Sequence, residues 1–104
     1  IAPEYPVYAA RNGTEGWCLV EFTVNELGNV VAESIVVIDH EPSNIFDQSS
    51  IRAAERFKWR PFVYEGRGIA VEGVQYLFRY ELTAVIVSVF YGGLLGLNGL
   101  PSLL

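Results

Sequence analysis

From Gly16 to Asn25 the chain alternates: Cys18, Val20, Phe22 and Val24 fall on one side, Trp17, Leu19, Glu21 and Thr23 on the other. Successive residues of an extended strand point to opposite faces, so this is the pattern of a strand covered on one side only. The segment commits the chain to a sheet with apolar material packed against one face. Asn25 to Asn29 follows, with Gly28 among polar neighbours, and Val30 to Ile38 supplies a second β-branched run. The two runs are expected to pair as an antiparallel hairpin. Alternation slips at Ile35, Val36 and Val37, which predicts a bulge or burial on both faces.

After Asp39 the signals change. Pro42 is a breaker, Ser43 or Asn44 offers a cap, and a helix is predicted from about Ile45 to Lys58. Phe46, Ser50, Ala53, Ala54 and Phe57 share one stripe at helical spacing, and the small residues within it let the helix lie close to a sheet. Pro61 ends this region, because it lacks an N–H and biases Arg60 away from helical geometry. Beyond Gly66 and Gly68 the run Ile69 to Leu82 alternates again, with Val74, Tyr76, Phe78, Tyr80 and Leu82 on one face and Gln75, Leu77, Arg79 and Glu81 on the other. At the start, Pro3 and Pro6 impose extended or turn geometry, and Val7 to Ala10 has room for one helical turn before Asn12-Gly13. Hairpin, helix, strand gives an α+β fold: a three-stranded antiparallel sheet covered by one main helix.

Length and charge narrow the function. At 104 residues the chain is one domain. A hydrophobic content of 51% sets it apart from disordered chains. A formal charge of −5 argues against nucleic acid, whose phosphates demand clustered Lys and Arg. Arg52, Arg56, Lys58 and Arg60 sit among acids, and a helix carrying Arg52, Glu55, Arg56 and Lys58 reads as a solvated face. Cys18 is the single cysteine, so no intrachain disulfide and no cysteine zinc site can form. Its position beside Val20 and Phe22 makes it a small buried hydrophobe. His40, the single histidine, lies between Asp39 and Glu41 at a strand end and reads as a solvated loop residue. Glu21, Glu26, Glu33 and Asp47 have no spacing that selects an acid–base pair, and Gly66-Arg67-Gly68 does not precede a helix as a phosphate cradle would. The residues thus give no positive support to enzymatic activity, and no cofactor or metal site is expected. No charged segment precedes an apolar one at Ile1, so no signal peptide is visible, and the abrupt start suggests a piece of something longer.

Four pieces in order now carry a resemblance. They are Tyr5-Pro6 with Ala9 and Ala10 shortly after; Gly16 opening a strand that ends Phe22-Thr23-Val24; Phe46-Asp47 with Ala53 and Ala54 leading into Phe57-Lys58-Trp59-Arg60-Pro61; and a closing strand ending Leu77-Phe78-Arg79-Tyr80-Glu81-Leu82. Together they resemble the C-terminal domain of the TonB family of energy transducers, over roughly residues 3 to 82. The resemblance implies a periplasmic domain of a protein anchored in the inner membrane, which carries energy from a proton-driven complex there to outer-membrane transporters. It also implies that the domain grips a transporter segment, the TonB box, by β-augmentation. The family uses the edge of its last strand, so the peptide is expected along Val71, Gly73, Gln75, Leu77 and Arg79, with Tyr5 and Pro6 packed nearby.

The chain divides into a TonB-like domain, 1–82, and an apolar tail, 83–104, that has no counterpart in the family pattern. Thr83 to Leu104 carries no charged residue, and Ala84, Ser88, Gly92 and Gly96 recur every fourth position. Because Ala84 to Tyr91 is dominated by β-branched and aromatic residues, a further strand is expected there, lengthening the third or pairing along an exposed edge. Gly92 to Leu104, with Asn98-Gly99 and Pro101, breaks a membrane span, and its leucines are expected to cover apolar surface. The alternative to a peptide-binding transducer is a self-associating envelope domain that forms a homodimer through the exposed edge and tail.

Overall fold

The computed structural model describes residues 2–82 together with the backbone of residues 84–91 and 102–103. A short helix α1, Val7–Arg11, precedes strands β1, Gly16–Val24, and β2, Val36–Glu41. Helix α2 covers Asp47–Glu55, and the short strands β3, Trp59–Arg60, β4, Phe62–Tyr64, and β5, Arg67–Ile69, follow. The long strand β6, Val71–Glu81, leads to β7, Ala84–Tyr91, and a two-residue strand β8, Ser102–Leu103. The main sheet is antiparallel in the order β2-β1-β6-β7. The three strands and one main helix anticipated from alternation are present. The expected extra strand is β7, which lies along the outer edge of β6 with Val74 opposite Tyr91 and Glu81 opposite Ala84. The expectation that the Leu-rich end covers apolar surface falls largely on residues 92–101, outside the described residues.

Alternation becomes burial. Cys18, Val20, Phe22 and Val24 from β1 and Val74, Tyr76, Phe78 and Tyr80 from β6 are all at most 5% exposed and face α2. The helix comes close because its buried residues are Ser50, Ala53 and Ala54. Phe57, Trp59, Phe22, Tyr76 and Phe78 fill one end of this layer with edge-on and tilted ring contacts. At the other end Phe46 stacks on Tyr80, ring centres 4.2 Å apart, and Tyr5 meets both edge-on at 5.7 Å. Each such pair contributes about 0.5–1.5 kcal/mol beyond its buried area.

Several boundaries differ from the sequence expectation. The helix starts as a 3-10 turn, Asn44–Phe46, and stops at Glu55 rather than reaching Lys58. Phe57 and Trp59 must both enter the core while Lys58 stays exposed, which is extended, period-two geometry. The second strand begins at Val36, because Ala32–Ser34 forms a 3-10 turn and the Ser34 hydroxyl replaces a ladder group. Ser34 Oγ accepts the Thr23 N–H at 2.8 Å and donates to the Val31 carbonyl at 2.6 Å. The irregularity expected near Val36 is a bulge at Ile38, where Leu19 pairs with Asp39 but Val20 pairs with Val37. Ile69 belongs to the β4–β5 hairpin, whose turn residues Glu65 and Gly66 both have positive φ, 51° and 78°. Leu82 lies in the turn after β6 and is 52% exposed, not on the core face.

Candidate functional site

Without β7, the sheet of β2, β1 and β6 has two lateral edges of different character. The β2 edge is short, bulged, and rich in charge, and Asp39 Oδ1 takes the His40 N–H at 2.8 Å. These are devices that discourage a further strand. The outer edge of β6 is the long one. Residues Val74 to Glu81 are in register with β7, so this edge accepts an antiparallel strand and is filled by the chain's own residues 84–91. Val71 and Gly73 lie before that register begins. Gly73, with φ 73°, produces the slip by which Phe22 pairs with Val74 but Val24 with Val71.

The residues expected to bind peptide are spread over the domain. Val71, Gly73, Gln75, Leu77 and Arg79 all lie on β6. Gln75 Nε2 donates to Glu21 Oε2 at 2.9 Å across the helix-free face. Leu77 is only 9% exposed, whereas Arg79 is open to solvent. Tyr5 packs on Phe46 and Tyr80 at the far end of β6, and its hydroxyl donates to the Thr14 carbonyl at 2.6 Å. Pro6 is the N-cap of α1, where its missing N–H removes no bond within the helix. Tyr5 thus fixes the N-terminal segment to the tip of β6.

A polar array inside the helix-covered face was invisible in the sequence. His40 is in β2 rather than a loop, and its Nδ1 lies 3.0 Å from Asp47 Oδ1 at the start of α2. Cys18 Sγ donates to the same oxygen at 3.6 Å, and Ser50 Oγ and the Tyr80 hydroxyl are 2.7 Å apart. The shared parity of Cys18 and His40, which are register partners, could have signalled this only with the pairing known. Burial pushes the Cys18 thiol up to about 12, with the Asp47 carboxylate adding to the rise and a Ser50 hydrogen bond opposing it. Burial likewise raises the Tyr80 phenol. A thiol so strongly held in its neutral form is no nucleophile. The array ties β1 and β2 to α2, and Asp47 places a negative charge at the helix N-terminus, where the dipole favours it.

Other chemistry finds little footing. Among the described residues no group of three His, Cys, Asp or Glu side chains could hold a metal ion, and no helix is long and apolar enough to cross a membrane. A cleft beside α2, lined by Glu4, Ser49, Arg52, Glu55 and Arg56, presents both signs of charge and so selects neither anions nor cations.

Comparison with known proteins agrees with the architecture. The family model for the Gram-negative bacterial TonB protein C-terminal matches residues 1–82. A protein TonB of Pseudomonas aeruginosa is 30% identical over 76 residues, covering 73% of this chain but 22% of its own length. The solution structure of the Pseudomonas aeruginosa TonB C-terminal domain superposes with a TM-score of 0.68 at 27% identity, over 81% of this chain and 82% of that one. The TonB2 protein of Vibrio anguillarum gives a TM-score of 0.59 at 28% identity, over 77% of this chain and 74% of that one.

Proposed function

Since this chain belongs to the family of Gram-negative TonB C-terminal domains, we propose that it is the periplasmic binding module of an energy transducer that grips the TonB box of an outer-membrane transporter by β-augmentation. In this reading the whole protein is anchored in the inner membrane and coupled there to a proton-driven complex, and the domain itself performs no catalysis. The observation that carries the proposal is the outer edge of β6, which is long, regular from Val74 to Glu81, and demonstrably able to take an antiparallel partner. Main-chain hydrogen bonds along such an edge supply affinity, and alternate side-chain positions supply selectivity. Tyr5 braces the distal tip of that strand.

Residues 83–104, read as an addition to the 1–82 domain, change how the edge works. An incoming peptide must displace β7, so apparent affinity falls by the fraction of molecules in which the edge is open. If about one molecule in ten is open, affinity is reduced about tenfold. Titrating a TonB-box peptide into the full chain, a chain ending at Leu82, and Ser88→Pro tests this. Ser88→Pro breaks the β7 ladder without removing the tail. Both variants are expected to bind more tightly than the full chain, with peptide contacts on β6 amides. Equal affinity in all three, or contacts away from β6, overturns the edge assignment. A second reading, exchange of β7 between two copies to form a homodimer, draws on the same β6–β7 pairing. Sedimentation of the full chain distinguishes it, because exchange requires a dimer whose mass collapses on truncation.

A further inference from the structure

Helix α2 covers one face of the sheet, and the opposite face carries a groove of about 580 Å³. Its floor is Trp17, Leu19 and Leu77, with Leu19 opposite Leu77 and Trp17 opposite Arg79 across the β1–β6 ladder. The surroundings of this floor are acidic. Glu15 and Glu81 line the groove, and on β2 Asp39 and Glu41 are the register partners of Leu19 and Trp17, which sets them on the same face. Arg79 is the one base among these groups. Among the described residues, none of these four carboxylates is in an ion pair.

That charge pattern selects the occupant. A second copy would bring acid against acid in a chain that already carries −5, and nucleic acid or an anionic lipid surface would be repelled in the same way. Half-buried Trp17 offers a ring face on which Lys or Arg can stack. We propose that the helix-free face of the sheet docks a cationic polypeptide segment, whose apolar residues fill the floor at Trp17, Leu19 and Leu77 while its Lys or Arg side chains meet Glu15, Asp39, Glu41 and Glu81. The named residues belong to β1, β2 and β6 and to Glu15, just before β1.

The test uses the full chain and two capped synthetic peptides, Lys-Leu-Lys-Leu-Lys and Glu-Leu-Glu-Leu-Glu, followed by amide and indole N–H resonances. The lysine peptide is expected to shift the Trp17 indole saturably while the Trp59 indole, fully buried in the opposite layer, stays still. The double variant Glu41→Gln with Glu81→Gln should weaken binding about tenfold. Glu33→Gln with Glu55→Gln removes the same charge away from the groove and should change affinity less than about twofold. The proposal is overturned if the Trp17 indole does not move, or if both double variants weaken binding alike, since net charge alone would then be responsible. It is equally overturned if the glutamate peptide binds as well, or if sedimentation shows a dimer that quenches Trp17 accessibility, which would make a second copy the occupant.

Discussion

The two faces of one sheet are built from the same strands and have opposite energetics. On the helix-covered face β1 and β6 contribute residues that are almost completely shielded, eight aromatic rings pack in a group of five and a group of three, and the polar atoms of Ser50 and Tyr80 satisfy each other. On the other face Trp17, Leu19, Glu21 and Gln75 remain half-open, and Gln75 reaches across the ladder to its register partner Glu21. A side chain's stake in the fold therefore largely follows the parity of its position, with Leu77, 9% exposed on the open face, as the exception. Parity divides residues that determine stability from residues free to serve recognition.

Two tryptophans sharpen this contrast most strongly. Trp59→Ala removes a ring with 0% exposure and should cost about 3–5 kcal/mol in chemical denaturation, leaving little folded protein. Trp17→Ala, on the half-open face, should cost about 1 kcal/mol. Equal losses at the two sites would erase the distinction between the faces.

The buried thiol gives the next largest effect. Burial pushes the Cys18 thiol from its ordinary value near 9 up to about 12, so the native state holds the proton more tightly. The sign follows: stability is fully present below pH 9 and declines as pH rises from about 9 towards 12, by an amount on the order of a few kcal/mol. Denaturation midpoints measured across that window should fall, and Cys18→Ala should flatten part of the decline. The same thiol should resist disulfide reagents at neutral pH until the protein unfolds.

Gly28 probes how the covered face is closed. Its φ is 88°, and a Cβ there would collide with the Trp59 carbonyl oxygen, so Gly28→Ala is expected to destabilise by about 1–3 kcal/mol. Thermal melts would register this as a lowered midpoint with unchanged cooperativity. The smallest effect belongs to the open face, where Gln75→Ala loses one partly exposed hydrogen bond to Glu21 and should change stability by less than about 1 kcal/mol. A larger loss would mean that the open face contributes to the fold more than its exposure implies.

What the sequence disclosed and what it concealed divide along a physical line. Period-two alternation in Gly16–Val24 and Val71–Glu81 depends only on local backbone geometry, so both strands and their buried sides were legible, as was the close-packing stripe Ser50, Ala53 and Ala54. Ser34 standing in for a ladder group, and His40 reaching Asp47, depend on register between segments that alternation alone cannot align. The β4–β5 hairpin escaped because its Glu65-Gly66 turn lacks the usual Asn or Asp signal. For the candidate site, the resemblance singled out β6. That β7 lies on its edge required the pairing itself, since the sequence offered two places for that strand.

The position of β1 between β2 and β6 also has a kinetic meaning. Its partner β2 is reached through a nearby turn, but its β6 partners, from Val71 to Tyr80, lie about fifty residues or more along the chain. The turn of the near hairpin is in addition held from a distance, since the Trp59 N–H bonds to the Gly28 carbonyl at 2.9 Å. The β1–β2 hairpin therefore cannot complete its native contacts until the chain beyond α2 has returned. Closing that long loop is the slow event, and the rate of folding should be governed by it. Until it closes, both edges of β1 and β2 stand open to other chains, which makes the interval before β6 docks the period of greatest vulnerability to aggregation.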